Sequence, residues 1–337
     1  MGDASAGRLR RVRTGNRLTQ QHVSTVVAVV VAYNRRELLL ESIQALKEQT
    51  RPLDAIIVID NASTDGTADA VRAAAPEVEL WELERNTGGA GGFAVGLAAA
   101  LQNRAVDWVW AMDDDTVPTP TALVELLRVA ERAPADTDLL GSRVVWTDGL
   151  DHPMNTPRPN PFARAARRAS ATRAGVVDVR TSSFVSMFVR ADAIRRVGLP
   201  IADYFIWNDD FEYSARLVRG RRGLAVPASV VVHKTNVRGS TDADPGARFF
   251  NEVRNKVWLW RFSSALSPLE KIVYGASTIR RWIRTVRLSS DRPTLRDGFR
   301  TGWSDGWRSR PRPNSIVLAD LGRATEAVRA VEEAAVR

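Results

Sequence analysis

The chain has 337 residues, 44% hydrophobic and 26% charged, a globular composition that excludes collagen-like, coiled-coil and disordered readings. It carries no cysteine and three histidines, which excludes disulfide frameworks, thiolate metal sites and multi-histidine clusters, so any metal must rest on carboxylates. The net charge of +9 is uneven, with twelve arginines and two lysines against four acids in residues 254–312, five arginines in residues 1–24, and a mildly acidic body between them. That is not the distribution of a nucleic-acid-binding core; a basic, aromatic tail suits a phosphate-bearing lipid or a membrane surface.

In chain order, Val23 to Tyr33 (VSTVVAVVVAY) is a continuous β-branched apolar run, the mark of a strand buried on both faces. The polar turn Asn34-Arg35-Arg36 leads into ELLLESIQALKEQT, apolar at helical spacing and stopped by Pro52. Ala55 to Asp60 predicts a second buried strand, and Ser63 or Thr64 is placed to cap the helix TADAVRAAA. Val78 to Leu83 predicts a third strand, followed by a glycine-rich turn (Asn86 to Gly92) and the helix FAVGLAAALQN. Trp108 to Met112 predicts a fourth, running into Asp113-Asp114-Asp115. Strands alternating with helices imply an α/β, doubly wound sheet whose ligands bind at the carboxyl ends of its strands, where all these polar clusters fall.

Beyond them, Pro118 to Ala133 predicts a helix, and residues 146–175, rich in Pro, Arg and Asn, predict a mobile loop. Ser182 to Arg190 is strand-like, ADAIRRVG a short helix, and Asp209-Asp210 opens the helix FEYSARLVRG. Leu224 to His233 predicts a last strand; after Arg248 the pattern turns helical, basic and Trp-rich. No apolar run reaches the ~18 residues a span needs, and the basic start lacks an apolar core, so the expectation is a protein made and kept in the cytosol.

Five features could carry chemistry or binding. Three adjacent carboxylates, Asp113 to Asp115, repel one another unless a cation compensates, and a hard divalent metal bridging to a diphosphate would do so; the plain alternative is an acidic cap before Pro118. Gly89 to Ala94 fits G-x-G-x-x-A, which keeps an NAD-type oxidoreductase in view, although two strand–helix units precede it where that fingerprint belongs on the first. Asp209 and Asp210, beside Tyr204, Phe205 and Trp207, read as a helix cap or as a pair whose split pKa values leave Asp210 a general base. His233 ends an apolar strand, as a plain polar terminus or a ligand, while His22 and His152 read as surface residues. Trp258, Trp260, Trp282, Trp303 and Trp307 among arginines suggest amphipathic helices, either at a headgroup-level interface or in an ordinary subdomain.

Taken together, VVAYNR, VIDNASTDGT, RNTGGAGGF, MDDDT, WNDDFEYSAR and VVVH resemble the family 2 glycosyltransferases of GT-A fold, from about Val23 to about Lys256. Within that family they are most similar to the actinobacterial galactofuranosyltransferases that initiate cell-wall galactan. The resemblance implies an α/β GT-A sheet, doubly wound, mixed and mostly parallel, at 23–250, a basic tail at 1–22 expected to be disordered, and a helical basic, Trp-rich extension at 251–337 that meets membrane or acceptor. It implies inverting transfer from UDP-galactofuranose to a polyprenyl-diphosphate-linked sugar, with Mn²⁺ or Mg²⁺, at the cytoplasmic face of the plasma membrane; another nucleotide sugar, such as dTDP-rhamnose, is the alternative. By position it assigns Tyr33, Asn34, Arg35 and Asp60 to the nucleotide. Arg85, Asn86, Gly88, Gly89, Gly91 and Gly92 go to the donor sugar and diphosphate. Asp113, Asp115 and His233 go to the metal, Asp114 to ribose or sugar, Asp210 to the base, and Asp209 and Trp207 to the acceptor. Asn208 departs from the pattern by separating Trp207 from the acidic pair. Nucleic acid is not among the expected partners, and a homo-oligomer is left open.

Overall fold

The computed structural model describes residues 23–102, 104–235 and 244–336. The expectation for residues 1–22, and His22 with it, lies outside the described residues.

The chain builds β1 (Val26–Ala32), α1 (Arg36–Lys47), β2 (Ala55–Asp60), α2 (Thr67–Ala74), β3 (Glu79–Glu82), α3 (Gly88–Leu101) and β4 (Trp108–Asp113). β5 (Thr116–Pro118), α4 (Ala122–Arg132), β6 (Thr137–Val145), α5 (Ala165–Arg173), β7 (Val177–Val179) and β8 (Met187–Arg190) follow, then α6 (Ala191–Val197), α7 (Asp209–Leu217) and β9 (Arg222–His233). Five helices close the chain: α8 (Phe249–Phe262), α9 (Pro268–Leu288), α10 (Arg292–Arg308), α11 (Asn314–Val317) and α12 (Arg323–Val336).

The sheet runs β3-β2-β1-β4-β8-β6-β9-β5, with β7 on β9. Its longest ladders, β1 with β2 and β4 and β6 with β9, are parallel, and β8 is the antiparallel strand joining the two halves. Because β8 runs against both β4 and β6, β9 ends at the same sheet edge as β1, β2 and β4. Every residue of β1 is buried, because alternate side chains serve two cores. Val27, Val29 and Val31 share a core with Phe93 and Leu97 of α3, whereas Val26, Ala28 and Val30 share the other with Leu39 and Ile43 of α1.

α3 begins inside the glycine run, which is therefore helix rather than turn. A Cβ at Gly92 would strike Val31, and one at Gly96 would strike Val29 and meet Ile59, so these glycines bring helix against sheet. That close contact outweighs glycine's poor helix propensity, and α3 follows the third strand of the chain rather than the first, where a dinucleotide fingerprint belongs. α2 is not capped by Ser63 or Thr64; Asp65 Oδ1 accepts from Thr67 N at 3.1 Å. The helix expected from Pro118 starts at Ala122, because Thr116–Pro118 pair with the end of β9. Residues 146–175 include α5, and His152 is buried rather than on the surface.

β6 and β7 escape the sequence pattern, since TDLLGSRVV interrupts its apolar residues with Gly and Arg and VDV is three residues long. In the C-terminal region α10 lays Gly298, Gly302 and Gly306 against the backbone of α8, a four-residue repeat that lets two helices touch closely. α9 starts at a Ser267–Glu270 capping box with Pro268 in its first turn. α12 returns to the main body, where Ala324, Ala327 and Val328 share the core of α3.

Candidate active site

The site is assembled where β1, β2, β4 and β9 end. After β1 the chain turns through Asn34, at φ 53°, and its side chain bridges to the next loop by accepting from Thr64 N at 2.7 Å. Tyr33 N donates to Asp114 Oδ2 at 3.0 Å, and Arg35 reaches across to Asp114 Oδ1 at 3.3 Å and to Asp115. Asp60, buried at the end of β2, accepts from Ser63 N at 3.0 Å. Buried Asn61, which the sequence reading passed over, accepts from Thr87 N at 2.8 Å and donates to Gly88 O at 3.0 Å. It thereby fixes the start of α3 beside the aspartates.

β5 folds back on β9 so that Thr116 faces His233, which brings the imidazole to the triplet. His233 Nε2 lies 3.1 Å from Asp115 Oδ1, and ligand atoms of Asp113, Asp115 and His233 all fall within 4.8 Å of one another. His233 Nδ1 is 3.0 Å from Asn155 Oδ1. An amide oxygen only accepts, so Nδ1 donates to Asn155; Nε2 points at Asp115, where a proton on it would pair with the carboxylate and its removal would free a lone pair for a metal. Asp115 Oδ1 is buried without a hydrogen bond. Two hard carboxylates, an imidazole lone pair and an orphaned buried oxygen fit a Mn²⁺ or Mg²⁺ ion.

The charges agree. Desolvation, with Asp115, Asp114 and Asp209 close by, drives Asp113 well above the usual carboxylate range. Burial lifts Asp114 to about 6 against the pull of the Tyr33 amide and Arg35. Burial also acts to raise Asp115, but His233 and Arg35 outweigh it and leave that carboxyl low. Arg35 is thus a partial counter-charge to a cluster that one guanidinium does not neutralise.

Across the edge lies the acidic pair. Asp209 and Asp210 are the first residues of α7, and the residue ahead of the helix is Asn208, which makes no side-chain cap. The expected helix-capping role therefore falls to neither Asp; Asp210 Oδ1 accepts from its neighbour Phe211 N at 2.6 Å. Burial raises Asp209 to about 7, with Asp210 adding to it, and raises Asp210 to about 6 against the Phe211 amide and Lys256. The preceding loop holds Phe205, Trp207 and Asn208 at φ 62°, 73° and 65°, a cost that persists only where surroundings enforce it. Asn255 of α8 enforces it by donating to the carbonyls of Tyr204 (2.9 Å), Ile206 (3.0 Å) and Trp207 (2.8 Å). Glu252, Asn255 and Lys256, all buried on one face of α8, were missed; three polar residues at helical spacing in an otherwise aromatic helix were the available signal.

The remaining predicted residues divide. Gly89 faces the pair, with its Cβ position 3.7 Å from Asp209 Oδ2, and Gly88, at φ 71°, abuts Phe205 O where a side chain would clash. Gly91 packs on Thr87 and Gly92 on Val31. Asn86 Oδ1 accepts from Gly88 N at 2.8 Å. Arg85 donates to Val317 O at 2.8 Å and Ala319 O at 3.1 Å, tying the loop after β3 to the C-terminal region. Beyond Asp210 opens a cavity of about 420 Å³ whose walls include Asn155, Arg158, Lys256, Tyr274 and Arg281.

Comparison with known proteins bears on this geometry. A family model described as Glycosyl transferase family 2 matches residues 27–193. Galactofuranosyltransferase GlfT1 of Mycolicibacterium smegmatis is 33% identical over 206 residues, 59% of this chain and 67% of that protein. Galactofuranosyltransferase GlfT1 of Mycobacterium tuberculosis H37Rv is 34% identical over 257 residues, 67% of this chain and 79% of that protein. Among solved structures, that of GalNAc-T7 with UDP, GalNAc and Mn²⁺ superposes with a TM-score of 0.56 at 15% identity, over 86% of this chain and 57% of that one.

Proposed function

The chain belongs to glycosyl transferase family 2, and from that premise we propose that it moves galactofuranose from UDP-galactofuranose to a sugar hydroxyl on a polyprenyl diphosphate, with inversion. The observation that carries this reading is the convergence of Asp113, Asp115 and His233 at one sheet edge, facing the Asp209–Asp210 pair. The donor is assigned from the similarity to galactofuranosyltransferases.

Asp210, lifted to about 6, is ionised at neutral pH yet basic enough to take the acceptor's proton as its oxygen bonds to the anomeric carbon. The bond to UDP breaks on the opposite face, and UDP leaves with the electron pair. A divalent cation on Asp113, Asp115 and His233 would offset the charge growing on that diphosphate. Asn155 keeps the His233 ring turned to the site, and Asn255 keeps the Trp207–Asn208 loop in the form that presents Asp210. Asp60, Tyr33, Asn34 and Arg35 are assigned to the nucleotide, and Asp209 and Trp207 to the acceptor.

α9 offers a surface for a lipid-borne acceptor. Leu269, Ile272, Ile279 and Ile283 form one stripe, 48–70% exposed, with Arg280, Arg284 and Arg287 along its flank. No helix among the described residues is long and apolar enough to cross a membrane. The stripe and its arginines support a peripheral position on an anionic membrane face, assigned to the cytoplasmic side where the nucleotide sugar is met. The functional test is incubation with UDP-galactofuranose, Mn²⁺ and a short lipid-linked rhamnosyl acceptor, with the product weighed. Addition of one hexose supports the reading; an acceptor left unchanged, with a dTDP-sugar used instead, overturns it.

A further inference from the structure

The charged residues lining the cavity beyond Asp210 are mostly cations. Arg158, Arg180, Lys256 and Arg281 line it, and Asp210 is the one acid among its described lining residues. Arg180 is already consumed, donating to Glu270 and to the carbonyl of Ala215 at 2.6 Å. Lys256 is not. It is 4% exposed, its ammonium lies 3.9 Å from the centre of the Phe211 ring, and it makes no hydrogen bond or ion pair among the described residues. Glu252, the carboxylate on the preceding turn, is taken up by Asn208 Nδ2 at 2.6 Å, Trp282 Nε1 at 3.0 Å and Arg281. Arg158, exposed on the rim in the segment after β6, likewise has no ion pair among the described residues.

Burial pushes Lys256 down to about 8 against the pull of Glu252 and Asp210, neither of which bonds it directly. Lys256 already acts on Asp210 and Arg281 is matched by Glu252, whereas Arg158 faces no acid among the described lining residues other than Asp210. Cations converging on a cavity beside aromatic rings (Phe211 and Tyr274, 5.3 Å apart, edge to face) match a ligand with an apolar sugar face and a negative group.

We propose that Lys256 and Arg158, with Arg281 held beside them by Glu252, form a subsite for a phosphate ester or diphosphate that the acceptor carries beyond its reacting sugar. The inference rests on reading Asp210's cavity as the acceptor's. It would let one site choose a lipid-linked sugar over the same sugar on a neutral carrier, the anion being read by Lys256 and Arg158 while the hydroxyl meets Asp210.

The test has two arms. In the first, one sugar is offered in solution as a neutral alkyl glycoside and as its alkyl diphosphate, without membranes. The charged acceptor should exceed the neutral one in kcat/KM by about tenfold or more, and Arg158→Gln and Lys256→Met should each shrink that ratio several-fold. Equal use of both acceptors by the unaltered protein, or variants that lose both in proportion, would overturn the subsite. In the second arm, inorganic pyrophosphate is titrated calorimetrically in EDTA, where the acidic donor edge repels anions. Binding should survive Asp115→Asn and be lost in Arg158→Gln, whose exposed position spares the fold if Lys256→Met does not; binding unchanged in Arg158→Gln would overturn the subsite. Pyrophosphate binding at this wall without transfer to either acceptor would sink galactofuranose transfer and leave the subsite standing.

Discussion

In the proposed function Asp210 is the base, and the reaction turns on one proton there. Its carboxyl is raised to about 6 by burial, and only the ionised form accepts a proton, so transfer should fall as pH drops through about 6 and level off above it. Asp210→Asn should lower kcat by about 10²–10⁴-fold while UDP affinity stays within a few-fold, measured by initial rates and by calorimetry. Lost nucleotide affinity would move Asp210 into the donor site. Asp113 and Asp115 were legible because they directly end or follow an apolar run, and the ends of parallel strands share one edge; the pattern left His233 open between a plain strand end and a ligand, and the resemblance alone assigned it to the metal. Asn155, Asn255 and Lys256 were not, because each acts on a partner fixed only by the finished fold: His233, the 204–207 carbonyls, the wall behind Phe211. His152 was misjudged for the same reason; its polar neighbours in sequence gave no sign that its ring would lie 4.8 Å from that of His233.

Among the elements, α3 shows tertiary packing overruling local preference. A glycine-rich start predicts a turn, yet the missing side chains are what allow the helix to sit on β1. Gly96→Val should therefore destabilise the protein by about 1–3 kcal/mol, through collision with Val29 and Ile59, read as a lower denaturation midpoint at unchanged m. A midpoint equal to the unaltered protein's would show the contact to be yielding. α5 escaped sequence reading because AARRASATR buries little besides Ala171 and so has no apolar period. β6, by contrast, is buried on both faces, and its Gly141 and Ser142 pack against Ser182 and Ser186 rather than apolar neighbours, which hid the strand.

Over the whole molecule, the proposed function divides two tasks between an acidic edge and a basic helical flank, one for a metal-bound nucleotide and one for an anionic, lipid-borne acceptor. The protein should sediment with phosphatidylglycerol vesicles at low salt and be released as salt rises, while phosphatidylcholine vesicles leave it in solution. Replacing Ile279 and Ile283 by Asp should weaken the sedimentation, and indifference to lipid charge, to salt and to both substitutions would remove the flank from that role. The central claim, that the aspartate edge joins a divalent cation to a nucleotide diphosphate, is tested most directly by titrating UDP into the protein with Mn²⁺ and with EDTA. Mn²⁺ should tighten UDP by about tenfold or more, and Asp115→Asn should erase that gain; UDP binding that ignores Mn²⁺, or a gain that survives in Asp115→Asn, would contradict it.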